Sequence, residues 1–304
     1  MQSERTDGTR PQAGPARLTP AGARKQLRTI LAGDKCVSPA SVYDPLSMRM
    51  AADLGFELAM LGGSVAALAV LGAPDHGLLT LSEFAGLCRR LCRTGALPLL
   101  VDADHGFGNA LNVMRCVEEL ETAGIAGMTL EDSELPAPFA APEGRITGID
   151  EAAAKIAAAV SARSDPDFIV VGRTTVGAKM AGSGRPADDL RDRTSAFAAA
   201  GAQAIFLARA RTIAEVEMAA EASGLPVILA AAKGELEKAD LAALGVRICL
   251  RGHDTIVRAT AGAWQSLADA AGSEQSRPDG LMARFSEEDR YERLISAHLK
   301  PPAG

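Results

Sequence analysis

The sequence has no basic surplus. Its 304 residues carry 32 Lys and Arg against 38 Asp and Glu, a formal net charge of −6. Nucleic acid and anionic membrane surfaces are recognised by clustered positive charge, so neither is an expected partner. No apolar run approaches the roughly 20 residues needed to span a bilayer. The N-terminus lacks the basic-then-apolar order of a secretory leader. The five cysteines, Cys36, Cys88, Cys92, Cys116 and Cys249, are odd in number and form no compact framework. That usage suits a reducing compartment, and the cytoplasm is the expected location. Cys88 and Cys92 have no second pair of soft ligands beside them. They read as core or surface thiols rather than half of a zinc site.

What the sequence does hold is centred on Leu99-Leu100-Val101-Asp102-Ala103-Asp104-His105-Gly106-Phe107-Gly108-Asn109. An apolar run ends in two carboxylates, a histidine and two glycines. Apolar residues resume at helical spacing from Leu111, which reads as a buried parallel strand, a tight loop and a helix. Acidic groups at the carboxyl end of such a strand lie where α/β sheets and barrels place their chemistry. Asp102 and Asp104 are two apart, so a strand would point both to one face. Like charges on one face repel unless a cation or proton lies between them. Hard divalent cations take oxygen ligands, and Mg²⁺ or Mn²⁺ is the expected occupant. The plainer alternative is a pair of solvated aspartates capping a helix.

The rest of the chain alternates. Apolar strand candidates at 36–42, 58–62, 97–101, 127–130, 168–171, 204–207, 226–229 and 246–250 interleave with helical patterns. The helices are expected at 45–54, 82–94, 109–123, 150–163, 188–200, 212–223, 236–244 and 254–271. A further helix over 20–32, with Thr19 as cap and Pro20 at its first position, precedes them. Eight strand–helix units predict an α/β fold, a (β/α)₈ TIM-type barrel over residues 19–272. A doubly wound sheet rarely runs to eight units without a glycine-rich nucleotide loop. Residues 1–18 read as a disordered extension. Residues 273–304 read as a linker and helical segment without a core of its own. In a barrel the active face would then gather Tyr43 and Asp44, Gly63 and Ser64, Asp102 to Asn109, Glu131 and Asp132, Arg173, Arg209, Ala230 to Lys233, and His253.

These residues together resemble the isocitrate lyase/phosphoenolpyruvate mutase superfamily over roughly residues 25–298. The likeness is carried by Ser41-Val42-Tyr43-Asp44-Pro45, Gly62-Gly63-Ser64-Val65, Asp102 to Asn109, Leu130-Glu131-Asp132, Gly172-Arg173-Thr174 and Gly252-His253. The blocks Leu54 to Ser64 and Asp102 to Met114 are especially like the bacterial oxaloacetate decarboxylase family. The resemblance implies that Asp102 binds Mg²⁺ (or Mn²⁺) directly, with Asp75, Asp104 and Glu131 holding its waters or binding in part. It implies that Gly63 and Ser64 contact a substrate carboxylate. Arg173 would bind a carboxylate or the carbonyl oxygen, and His253 would line the pocket near the departing group. It also implies a homotetramer that exchanges its eighth helix between subunits. The implied reaction is metal-dependent decarboxylation of oxaloacetate, a 2-oxo diacid, to pyruvate and CO₂ through a metal-stabilised enolate. Alternatives are a carbon–phosphorus enzyme acting on phosphonopyruvate, another 2-oxo or 2-hydroxy acid lyase, and a catalytically silent barrel serving as a binding module.

The sequence departs from the superfamily pattern in two places. The loop Ser133-Glu134-Leu135-Pro136-Ala137-Pro138-Phe139 lacks the Lys-Cys-Gly-His type motif of the carbon–carbon lyases. Ala231-Ala232-Lys233-Gly234 stands where the decarboxylase family usually carries Thr-Tyr-Gly-Asn, and Arg251 replaces a common asparagine.

Overall fold

The computed structural model describes residues 17–141, 144–176 and 186–301. Most of the expected N-terminal extension, residues 1–16, lies outside them. Eight parallel strands follow one another in chain order, each hydrogen-bonded to the next. They are β1 (Ala40–Ser41), β2 (Ala59–Leu61), β3 (Leu99–Asp102), β4 (Gly127–Glu131), β5 (Ile169–Thr174), β6 (Ala204–Leu207), β7 (Val227–Leu229) and β8 (Val246–Cys249). Ahead of β1, the Val37 amide donates to Arg247 O and Val37 O accepts from Cys249 N, both at 2.9 Å. The last strand thus bonds back to the start of the first, consistent with the TIM-type arrangement. β1 is shorter than the apolar run 36–42 because Pro39 has no N–H to give a ladder.

Alternation sorts the strand side chains into two cores. Leu61, Leu99, Val101, Met128, Leu130, Val170 and Ile205 face outward onto the helices. Met60, Leu100, Ile169, Val171, Phe206, Ile228 and Ile248 face the axis. The axial core is closed at the amino end of the strands by α1 (Pro20–Ala32), which adds Ala23, Leu27, Ile30 and Leu31 to it. Thr19 caps this helix, as its sequence suggested. Arg24, buried to 7% exposure, anchors it: Nη1 lies 2.8 Å from Asp165 and Nη2 donates to Glu121 O at 2.8 Å. Each large apolar side chain buried this way is worth about 1.5–3 kcal/mol.

The helices match the periodic segments except at two places. α2 (Pro45–Asp53), α4 (Leu81–Cys92), α5 (Ala110–Ala123), α6 (Ile149–Ala162), α7 (Pro186–Ala199), α8 (Ile213–Ser223) and α9 (Asp254–Ala270) lie where expected. α3 (Gly63–Leu71) was not read from the sequence. It is apolar all round, so no polar face marks a helical period. Conversely, no α-helix forms over 236–244. A 3₁₀ turn at Gly234–Glu237 and irregular turns connect β7 to β8 instead. The apolar positions there, Leu236, Leu241 and Leu244, do pack inward, but from turns that follow Gly234, which holds φ +64°.

α9 packs chiefly on the short α10 (Leu281–Phe285) rather than on the strands. Only Ile256 and Ala268 of α9 are buried, and Leu267 is 71% exposed. The final helix α11 (Glu288–His298) returns toward the loops at the carboxyl ends of the strands. Tyr291 stacks near His76 at 5.9 Å between ring centroids, and the Ala140 amide donates to Leu299 O at 2.8 Å.

Candidate active site

The parallel register builds the site. Asp102 stands opposite Thr129, Glu131 opposite Arg173, and Arg173 opposite Phe206. All continue the axial faces of β3 to β6 above the apolar core. Thr129 Oγ1 donates to Asp102 Oδ1 at 2.8 Å. The Arg173 guanidinium reaches across two strands, with Nη1 paired to Asp102 Oδ2 and Nη2 2.9 Å from Glu131 Oε2. Its flat face lies 5.5 Å from the centre of the Phe206 ring. Burial opposes the charge on Arg173, but Asp102 and Glu131 outweigh it and raise its pKa. Burial raises the Glu131 pKa against the pull of Arg173, and the charge of Asp102 adds to the rise.

Asp104 reaches this group by a different route from the one its spacing suggested. β3 ends at Asp102, so strand alternation does not place Asp104. It sits in a turn at φ +48°, where an L residue other than Asn or Asp is uncommon. Its carbonyl accepts the Glu131 amide at 2.8 Å. Its carboxylate faces the same centre. Burial first, then the charges of Asp102, Asp75 and Glu131, push its pKa well above the ordinary carboxylate range. Asp75 lies at the exposed rim. Desolvation raises its pKa, and the next cause is the charge of Asp102.

On the opposite side, His253 precedes α9 and Nδ1 lies 2.9 Å from Ser41 Oγ. Burial lowers its pKa, which keeps the ring neutral near pH 7. Two glycines let these side chains approach. A Cβ on Gly62 would lie 2.8 Å from the His253 ring, and one on Gly63 would collide with the Asp104 carboxylate. The same glycines open α3, whose first amides have no side-chain cap. A helix N-terminus with free N–H groups favours an anion, and Ser64 lies in this first turn. Tyr43 follows β1 and is half-buried. The Asp44 carboxylate accepts the Ser47 amide at 2.7 Å as the N-cap of α2. The structure therefore gives Asp44 a capping task, whatever else it touches.

A divalent metal fits this donor set in one specific way. Among the described residues, no three His, Cys, Asp or Glu side chains converge as a ready-made cage. Magnesium does not need one, since it commonly keeps waters and takes one or two carboxylates plus substrate oxygens. The charge of Asp102 nevertheless raises the pKa of Asp75, Asp104 and Glu131, so these carboxyl groups repel one another. Glu131 Oε2 is buried there without an aligned hydrogen bond. That is the environment a hard cation with water ligands would relieve.

A sequence model of the phosphoenolpyruvate phosphomutase family matches residues 27–271. The chain belongs to that family. It is 48% identical over 266 residues to a protein of Rhodopseudomonas palustris (strain BisB18) named oxaloacetate decarboxylase, covering 87% of this chain and 91% of that one. Among solved structures it resembles oxaloacetate acetylhydrolase in complex with oxalate. That match has a TM-score of 0.71 and 26% identity, over 92% of this chain and 99% of that one. It also resembles phosphonopyruvate hydrolase in complex with oxalate and Mg²⁺. Here the TM-score is 0.69 and the identity 28%, over 91% and 99% of the two chains.

In this family member, Thr129, Arg193 and Lys155 were not singled out from sequence, and Ser41 and Asp132 were named there without a partner. Thr129 orients Asp102, and in sequence it was only a hydroxyl in an apolar strand; Ser41, part of a motif, lies against His253. Asp132 and Arg193 form a buried pair at 3.4 Å. Arg193 Nη1 also donates to Thr147 O, and Asp132 Oδ1 accepts the Thr175 amide. The pair thereby joins the loops on either side of Arg173 to α7. Lys155 of α6 is buried near Glu131 and His105, and burial lowers its pKa. No sequence motif announced these contacts, because each partner lies on a different element.

Proposed function

We propose that this chain is a divalent-metal-dependent oxaloacetate decarboxylase of the cytoplasm, releasing pyruvate and CO₂ from a 2-oxo diacid. One observation carries the reading. A half-buried arginine bridges two carboxylates at the carboxyl ends of β3 to β5, beside an uncapped helix N-terminus and a histidine held by Ser41. The similarity to the Rhodopseudomonas protein supports the choice of substrate.

Asp102 would hold Mg²⁺ or Mn²⁺, with Asp104, Glu131 and Asp75 on its waters. Bound there, the cation would supply a Lewis acid for the 2-oxo group. The amides of Gly63 and Ser64 would receive the C1 carboxylate. When the C3–C4 bond breaks and CO₂ leaves, negative charge moves onto the C2 oxygen. The Arg173 guanidinium, fixed by Asp102, Glu131 and Phe206, stabilises that charge more than the ground-state ketone, which is what accelerates the step. His253 lines the side of the departing carboxylate. A Ser41 hydroxyl donating to Nδ1 would keep the ring proton on Nε2, a neutral donor rather than a cation that would hold the carboxylate back. Tyr43 and Asp44 border the pocket. Protonation of the enolate at C3 then gives pyruvate, and no covalent nucleophile is needed.

The assembly belongs to the same proposal: a homotetramer in which α9 is exchanged between subunits. The exposed Leu267 and Val257 of α9 support it. So do Leu46, Met50 and Leu54, which form an exposed apolar stripe at four-residue spacing on α2 and its C-cap.

The deciding assay is pyruvate release from oxaloacetate with Mg²⁺ and then with chelator, corrected for spontaneous and metal-only decarboxylation. Chelator-sensitive turnover well above background is expected. No turnover above background, with phosphonopyruvate cleaved instead, would move the chain to carbon–phosphorus chemistry.

A further inference from the structure

Next to the acidic group lies a chamber of about 1380 Å³ that the proposed reaction does not need. Sites for drug-sized ligands are roughly 300–1,000 Å³, and a four-carbon diacid is far smaller than such a ligand. The room has two structural causes. The loop Ala230-Ala231-Ala232 puts only methyl groups beside it, and the connection from β7 to β8 is a short 3₁₀ turn where a helix would otherwise stand.

Its lining is as positive as the other half of the mouth is negative. Lys35, Arg209, Arg211, Lys233 and Arg251 all border it, against two carboxylates, Asp34 and Asp240. Arg251 Nε uses Ser38 Oγ at 3.1 Å. The other four cationic side chains have no hydrogen bond or ion pair with any described residue. Among the described residues, the buried Arg24 and Arg193 and the half-buried Arg173 are each paired with a carboxylate. Thr175 and His253 also line the chamber, so it opens directly onto the site.

We propose that this chamber is a subsite for a distal anionic group, a carboxylate or phosphate, on a 2-oxo acid longer than oxaloacetate. The inference rests on the proposed function for where the 2-oxo head lies. The head sits between Arg173 and α3, and the tail passes His253 and Thr175 to reach Arg209 and Lys233. Those two follow β6 and β7 and are free to form charge-assisted hydrogen bonds. In a chain of net charge −6, such a local field also draws the anion in.

The test is direct binding by calorimetry in Mg²⁺, using the native assembly. The probes are oxalate and the series 2-oxoglutarate, 2-oxoadipate and 2-oxopimelate. Affinity is expected to rise about tenfold along the series, the size of one added charge-assisted hydrogen bond. The double variant Arg209→Ala/Lys233→Ala should remove that gain and leave oxalate affinity within about twofold, since the short dianion fills only the inner site. Both side chains are exposed and unbonded, so the variant keeps its fold. Inorganic phosphate should compete with 2-oxopimelate and spare oxalate. Equal affinities along the series, or a gain that survives in the double variant, would overturn the proposal. Oxaloacetate turnover measured in parallel separates the two readings. A length-dependent gain without turnover keeps the chamber and removes the decarboxylase. Turnover without the gain does the reverse.

Discussion

The two halves of the barrel mouth are built in opposite ways. Across β3 to β5 the charged groups are buried, mutually paired and few in rotamer: Asp102, Glu131 and Arg173 form one bonded unit, with Asp104 pressed against it. Across β6 to β8 the cations are exposed and long around a wide chamber, and all but Arg251 lack a bonded partner among the described residues. The difference separates two tasks. A preorganised group can stabilise charge that develops in a reaction, because it pays no reorganisation at that moment. A loose set of cations can only select and retain an anion. Substitutions should therefore cost catalysis and stability together in the first half, and binding alone in the second.

The largest expected effect is at the bonded unit. Arg173→Gln leaves two buried carboxylates without their cation. It should destabilise the metal-free fold by about 3–5 kcal/mol and lower kcat/KM by roughly 10³-fold, read by urea unfolding and steady-state kinetics. Asp102→Ala should abolish chelator-sensitive turnover; activity retained in metal-depleted buffer would break the scheme. Next comes Gly63→Ala, whose Cβ collides with the Asp104 carboxylate. It should cost about 1–3 kcal/mol of stability and displace Asp104, lowering kcat more than it raises KM. Thr129→Val removes the hydroxyl that orients Asp102. It should lower kcat/KM about tenfold, and an unchanged rate would show that Arg173 alone fixes that carboxylate.

Smaller effects sharpen the contrast in dryness. Burial depresses the His105 pKa to about 4, and the nearby Lys155 adds to it. The unfolded value, about 6.5, is higher, so the unfolded chain binds the extra proton between these pH values. His105 therefore contributes stability above about pH 6.5 that is lost as pH falls toward 4. The loss should be about 1 kcal/mol by pH 5, since the side chain is partly exposed and screened. Glu131 and Asp104 have the opposite sign, so the difference between wild type and His105→Gln, not the wild-type curve, isolates it. At the bottom of the scale, Arg209→Ala/Lys233→Ala should shift unfolding by no more than about 0.5 kcal/mol. A larger loss would mean that the basic half is structural after all.

Much of the fold was legible. Strands in this architecture are buried on both faces, so they read as apolar runs, and Thr19-Pro20 marked a helix start with the geometry it implies. The failures are equally specific. α3 has no polar face to reveal its period, and the 236–244 pattern is apolar at helical spacing yet folds as the end of a 3₁₀ turn and irregular turns. In the site, Asp102 and Asp104 stood out because they adjoin in sequence. The spacing suggested a common strand face, whereas a left-handed turn at Asp104 does the work. Arg209 and Lys233 could be placed at the active face, but nothing in the sequence showed that they share a chamber with Lys35 and Arg251.

By itself, then, the sequence determined the eight-unit α/β plan, the acidic motif and the family, because all three are written in local order: hydrophobic period, turn residues and a contiguous stretch. Only the tertiary structure decided that Arg173 is the cation shared by Asp102 and Glu131, that Ser41 holds His253, and that four unpaired cations meet in one chamber. Those facts depend on strand register and on a missing crossover helix. Register joins residues tens to hundreds of positions apart, and no local pattern encodes the distance between them.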